Sequence, residues 1–209
     1  AANYVTSYSE DTIPENVMFE LVRRNWLDIK KIKNLGIGYV PSYDSFRAYL
    51  RSMGHTIKSI EESGLSDPYL FNERRLIFTY NDEHGRPVGF IGRNLEYDGI
   101  KDPETHQYYK GPKYVFNKSP SIGIKILKKE QRLYLFDKAR KSESSTLYIV
   151  EGQPDSISFH YNGYDNFVSL SGTSMTLEHF ELLRRHGVYD VVICLDNDSP
   201  GQKAAESLI

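Results

Sequence analysis

The sequence predicts an α/β protein in two parts. A basic lobe of mixed α+β composition comes first, and a smaller Rossmann-like subdomain with a parallel sheet follows. Three observations carry this expectation. Residues 74–97, "RRLIFTYNDEHGRPVGFIGRNLEY", have the pattern of a β-hairpin. From residue 144 onward apolar strands alternate with helices, the order of a parallel sheet. The charge divides in the same way: residues 1–147 carry 23 Lys and Arg against 19 Asp and Glu, and residues 148–209 carry 3 against 9. The expected boundaries are 1–16 for a polar linker or arm, 17–143 for the basic lobe and 144–209 for the parallel-sheet subdomain.

The elements follow in chain order. Residues 16–54 read as short helices broken at "GIGYVPSYDS", with Val17, Phe19, Leu21 and Val22 near Trp26, then Ile29, Ile32 and Leu35 at helical spacing. Asp44 or Ser45 is the expected cap of the helix that carries Phe46, Tyr49 and Leu50. In the hairpin, Leu76–Tyr80 and Val88–Leu95 are the strands, and His84 is a turn residue. "KILKKEQRLYLFDKARK" is amphipathic, which predicts one helix with Ile126, Leu133, Phe136 and Ala139 inward. "TLYIVEG", "NFVSLSGTS" and "DVVICLDND" are the expected parallel strands. Helices follow each of them, and the second is capped by Thr176 and closed by Gly187.

Composition narrows the function. The chain has 209 residues, 39% hydrophobic and 13% aromatic, enough for a core. No apolar run approaches the ~20 residues of a membrane span. The first residues lack the basic and apolar regions of a signal peptide. The single cysteine, Cys194, excludes a disulfide framework and a multi-Cys zinc site in this chain, and its apolar strand predicts a core position. A cytoplasmic location is expected. Residues 110–141 hold ten basic residues against Glu130 and Asp137, which suggests a polyanion as partner.

The acids supply the chemistry. Ligands bind at the carboxyl ends of parallel strands. There "YIVE" sets Glu151, "VICLDND" sets Asp196 and Asp198, and Asp155 lies one turn into the following helix. Four carboxylates at one edge repel one another, and a divalent, oxygen-seeking cation resolves the conflict, with Mg2+ the natural candidate. Each aspartate also has a plainer reading, as the cap of the next helix. No G-x-x-x-x-G-K-[ST], calcium-hand spacing or G-x-S-x-G is present, so a P-loop, an EF-hand and a nucleophile elbow are unsupported.

Residues 147–209 resemble the Toprim domain of bacterial DnaG-type primases, topoisomerases and some nucleases, through "YIVEGQPDSIS", "VSLSGTSMTLEHFELLRR" and "VICLDNDSPGQKAA". Upstream, "GRPVGFIGRNL", "GPKYVFNKS" and "LKKEQRLYLFDKAR" resemble the basic lobe of the primase polymerase domain, and "LGIGYVP" its IGYAP-like segment. The likeness spans roughly residues 16–209. It departs where Ile91 replaces a usual glycine, in a longer connection from Lys113 to Lys129, and near Asn34 and Lys33, where a basic residue is usual.

The resemblance implies general acid/base work for Glu151, Mg2+ ligation by Asp155, Asp196 and Asp198 (Mn2+ as a substitute), and template or nucleotide binding by Arg93, Lys113 and Lys129. It implies single-stranded DNA and nucleoside triphosphates as partners, and a replicative helicase bound through regions outside this chain. By this reading the Toprim sheet is incomplete at the C-terminus, and the zinc-binding module lies elsewhere. Two alternatives stay open: a Toprim nuclease or topoisomerase fragment, and a non-catalytic nucleic-acid-binding module.

Overall fold

The computed structural model describes residues 1–118 and 127–206. The first part runs α1 (Ala2–Val5), α2 (Glu15–Arg23), α3 (Ile29–Asn34), β1 (Ile37–Tyr39), α4 (Tyr43–Ser52), α5 (Ile57–Glu62), β2 (Arg75–Asn81), β3 (Pro87–Asn94) and β4 (Tyr114–Phe116). The second runs α6 (Phe136–Ala139), β5 (Thr146–Val150), α7 (Gln153–Tyr161), β6 (Phe167–Ser169), α8 (Leu177–Arg185), β7 (Asp190–Cys194) and α9 (Ser199–Glu206). The chain forms two compact units, one of residues Ala1–Tyr80 and Val88–Leu127, the other of Asn81–Pro87 and Lys128–Ile209. No described helix is long and apolar enough to cross a membrane.

The first unit is built on a sheet of order β1-β2-β3-β4, with Ile37 opposite Phe78 and Arg93 opposite Tyr114. Against it Val40, Phe46, Leu50, Ile60, Leu70, Phe71, Ile77 and Phe90 form a core in which Phe71 meets Phe46 at 4.7 Å and Phe90 edge-on at 5.4 Å. Helix α2 buries Val17, Glu20 and Leu21, one i, i+3, i+4 face, so Phe19 and Val22 point to solvent. The cap of α4 is Ser42, not Asp44 or Ser45: its hydroxyl accepts from the Ser45 amide at 3.1 Å.

The polar start of the chain is not a loose arm. Val5 is fully buried within that core, Tyr8 lies against Tyr39 at 5.0 Å, and the Lys33 ammonium donates to the Tyr8 carbonyl. Val5 and Ile13, isolated among polar residues, were too weak a signal to predict this.

In the second unit β5 is central in a sheet of order β6-β5-β7, parallel throughout as expected. Leu147, Ile149, Val168, Leu182 and Leu183 pack with Leu133, Phe136 and Ala139 on one face, with Val191 and Ile193 half-buried there. On the other face Phe159 of α7 stacks on Phe167 at 3.7 Å, and Phe167 on Tyr148 at 4.7 Å. Helix α7 packs on β6 and β5, and among the described residues the corresponding face of β7 is left exposed. Val192 and Cys194 are exposed there, which corrects the expected core position of Cys194. Thr176 caps α8 as expected, with its hydroxyl accepting from the His179 amide.

The single helix expected over residues 125–141 does not form. A short 3-10 turn spans Lys129–Gln131, and α6 begins only after Leu135, whose φ of 64° is left-handed. Tyr134 makes instead a single antiparallel bridge to Ser169, with backbone bonds of 2.9 and 3.1 Å. Leu133, Phe136 and Ala139 are buried, whereas Ile126 lies outside the described residues. His84 sits in the hairpin turn, where Asp82 accepts from the His84 and Arg86 amides at 3.0 Å each and from Arg86 Nε at 2.7 Å.

Candidate functional site: an acidic strand edge and a basic strand pair

The second unit carries Glu151 immediately after β5, and Asp196 and Asp198 in the loop that follows β7, its direct parallel neighbour with Val150 opposite Cys194. Asp155 lies in the first turn of α7. The four predicted acids therefore share the carboxyl-terminal edge of one sheet. The Glu151 carboxyl is pushed above the ordinary glutamate value, first by burial and then by the charges of Asp196 and Asp198, with Asp155 adding to them. The Asp196 backbone N–H opposes this without reversing it.

Neighbouring groups fix this edge. Ser169 Oγ donates to the Glu151 carbonyl at 2.9 Å and accepts from the Ser171 amide at 3.0 Å. Lys129 Nζ donates to the Ser171 carbonyl at 2.8 Å, which brings the predicted Lys129 to the loop that holds Glu151. Asp198 does take the plainer role of a cap: its Oδ1 accepts from the Gly201 amide at 2.8 Å at the start of α9. Gly201 has no alternative, because a Cβ there would lie 2.1 Å from the Asp196 carbonyl oxygen.

These residues suit an oxygen-seeking divalent cation. Glu151 Oε2 is buried with no hydrogen-bond partner, the acids repel one another, and all four offer hard oxygen donors. Among the described residues no three His, Cys, Asp or Glu side chains converge closely enough to hold an ion alone.

In the first unit Arg93 lies on β3 and Lys113 immediately precedes the partner strand β4, and the Asn94 amide donates to the Lys113 carbonyl at 2.9 Å. Lys113 is exposed. Arg93 is not: its Nε donates to Glu20 Oε1 at 2.7 Å and its Nη1 to Tyr114 Oη at 3.1 Å. Glu20 also accepts from Arg24 at 2.7 Å and from Arg23 through both carboxylate oxygens at 3.0 Å. Three arginines around one carboxylate leave a local charge of +2. Sequence reading did not single out Glu20, whose one signal was its position on the buried face of α2.

Burial alone would raise the Glu20 carboxyl, but Arg24, Arg93 and Arg23 outweigh it and hold it below the ordinary glutamate value. With the folded value depressed, its stabilisation is full above the unfolded value of about 4.3 and is lost as pH falls through the folded value. Glu20→Gln is expected to lower the melting temperature at pH 7 and to shrink the loss that the wild type shows between neutral and strongly acid pH. Thermal unfolding followed by circular dichroism at several pH values checks this; an unchanged acid loss would remove Glu20 from the account.

Comparison with known proteins agrees with this architecture. Residues 8–140 match the family model of the DNA primase catalytic core, N-terminal domain, and residues 148–209 match a Toprim-like model. The chain is 33% identical over 198 residues to the DNA primase of Deinococcus radiodurans, covering 88% of this chain and 31% of that protein. It is 34% identical over 182 residues to the DNA primase of Clostridium acetobutylicum, covering 84% and 28%. The chain thus spans about a third of the length of these relatives.

Among solved structures, the RNA polymerase domain of Mycobacterium tuberculosis primase DnaG superposes with a TM-score of 0.77 at 24% identity, covering 99% of this chain and 67% of that one. A DnaG primase catalytic domain bound to ssDNA gives 0.73 at 25%, covering 99% and 64%. With its basic lobe followed by a Toprim-like unit, the chain belongs to the DnaG-type DNA primase family, as part of the catalytic core.

Proposed function

We propose that this chain carries the catalytic core of template-directed synthesis of short RNA primers on single-stranded DNA, by nucleotidyl transfer from nucleoside triphosphates, in the cytoplasm. The observation that carries the reading is the acidic edge of β5 and β7, where the half-buried Glu151 has its Oε2 buried without a hydrogen-bond partner and faces the charge of three aspartates. Asp155, Asp196 and Asp198 would hold Mg2+, with Mn2+ as a substitute. When bound, such an ion supplies charge neutralisation for the triphosphate and acidifies the attacking hydroxyl. Glu151 accepts or relays the proton of the primer 3′-hydroxyl. Lys129, anchored on the Ser171 carbonyl, neutralises phosphate charge beside that edge. The replicative helicase would be engaged through regions outside these residues.

In the basic lobe, Lys113 contacts template phosphates directly. Arg93 offers the guanidinium edge left over from its bonds to Glu20 and Tyr114. Lys113→Glu is expected to weaken binding of a single-stranded oligonucleotide and to reduce the slope of log K against log salt by about 1 to 2, since phosphate contacts release counterions. Fluorescence anisotropy across a salt series reads both. Wild-type affinity and slope in the variant would remove Lys113 from the template path.

A further inference from the structure

The connection from Asn94, at the end of β3, to Tyr114, at the start of β4, is longer than the about 12–15 residues beyond which a plain loop is unusual. It carries its own order. Lys101 and Tyr108 form an antiparallel bridge. The turn between them is tied by Asp102, whose carboxylate accepts from the amides of Glu104 at 3.0 Å and Thr105 at 2.7 Å. Lys101 Nζ sits 4.8 Å over the Tyr108 ring, and Tyr97 meets that ring edge-on at 5.1 Å.

Against this excursion stands Tyr69, braced by the buried Arg75. The Arg75 guanidinium lies 4.6 Å over the Tyr69 ring, and its Nε donates to the Tyr69 carbonyl at 2.7 Å. Gly111 permits the approach: its φ is 76°, and a Cβ there would lie 2.2 Å from Tyr69 Oη. The result is a cavity of about 640 Å³ lined by Tyr69, Tyr108, Tyr109, Arg74 and Lys110. That is within the about 300–1,000 Å³ range of small-ligand pockets.

The lining combines aromatic faces with two cations, Arg74 and Lys110, and one acid, Glu96. Tyr109 is 63% exposed and Tyr69 49%, so both side chains present open surface at the cavity. Arg74 is paired only loosely, at 3.9 Å to Glu73 and 3.7 Å to Glu96, and Lys110 at 3.3 Å to Asp98. Exposed pairs of this kind are worth little, so both cations can exchange their carboxylates for a phosphate. Stacking surface beside positive charge is the chemistry that holds single-stranded nucleic acid.

We propose that this cavity captures one unpaired base of single-stranded DNA against its tyrosines, with an adjoining phosphate on Arg74 or Lys110. The proposal rests on the reading of the basic lobe as template-binding.

The test uses the intact protein, Tyr109→Ala and Tyr109→Phe, and Lys113→Glu as reference. Labelled single-stranded oligonucleotides are used, either complete or with one abasic position moved stepwise along them. Tyr109→Ala is expected to weaken binding about tenfold, with an unchanged salt slope, because a stacked base and not a phosphate is lost. Tyr109→Phe retains near-wild-type affinity. One abasic position reproduces the loss in the wild type and adds nothing to Tyr109→Ala. If Tyr109→Ala binds like the wild type while Lys113→Glu binds weakly, the cavity proposal fails and the template reading stands. If both bind like the wild type, both fail. Abasic losses that add fully to Tyr109→Ala at every position also overturn the proposal.

Discussion

Gly201→Ala is expected to reduce primer synthesis by about a hundredfold, the size of effect that an ångström of misplacement produces at a reacting centre. The added Cβ would lie 2.1 Å from the Asp196 carbonyl oxygen, and the obstacle is backbone, so no side-chain rotation relieves it. Either the first turn of α9 moves away from the strand end or the 195–198 loop shifts. Both displace Asp196 and Asp198 relative to Glu151 and weaken the cap between Asp198 Oδ1 and the Gly201 amide. The cost in stability is expected at about 1–3 kcal/mol, typical of overpacking, so the protein should still fold. Steady-state primer synthesis and thermal unfolding, measured together, check it. Full activity in a folded variant would show that the positions of these two aspartates do not matter.

Glu151→Gln is expected to reduce synthesis by at least about 10²–10⁴, the usual contribution of a positioned proton-transfer group, while template affinity stays at the wild-type level. Glutamine preserves the size and the position at the end of β5 and removes the charge. It also removes the repulsion with Asp196, Asp198 and Asp155 that Glu151 meets in the folded protein. Thermal stability should therefore hold or rise while activity falls. Loss of activity together with unfolding would instead point to a structural role, and retained activity would take Glu151 out of the chemistry.

The parts of this protein that the sequence made legible are those encoded locally. The apolar run from Leu147 to Val150 and the Thr176 cap read directly as a strand and a helix start, and the structure contains both. The meeting of Glu151 with Asp196 and Asp198 was legible because each ends a strand in a repeating strand–helix order, and parallel neighbours align their ends. Tertiary placement was not legible. Val192 and Cys194 are as apolar as Val191 and Ile193, yet their exposure depends on where α7 lies across the sheet. The amphipathic pattern of residues 125–141 fits a helix equally well with or without the left-handed Leu135 that interrupts it. Glu20 looked like any surface acid until α2 turned it toward Arg93.

One gel addresses the central claim most directly. Labelled single-stranded template, nucleoside triphosphates and Mg2+ are incubated with the intact protein and with its Glu151→Gln variant, and the products are separated. New short RNA that requires the template and disappears with Glu151→Gln is the expected result. Cleaved template without new RNA would contradict the account and assign the acidic edge to phosphodiester breakage instead.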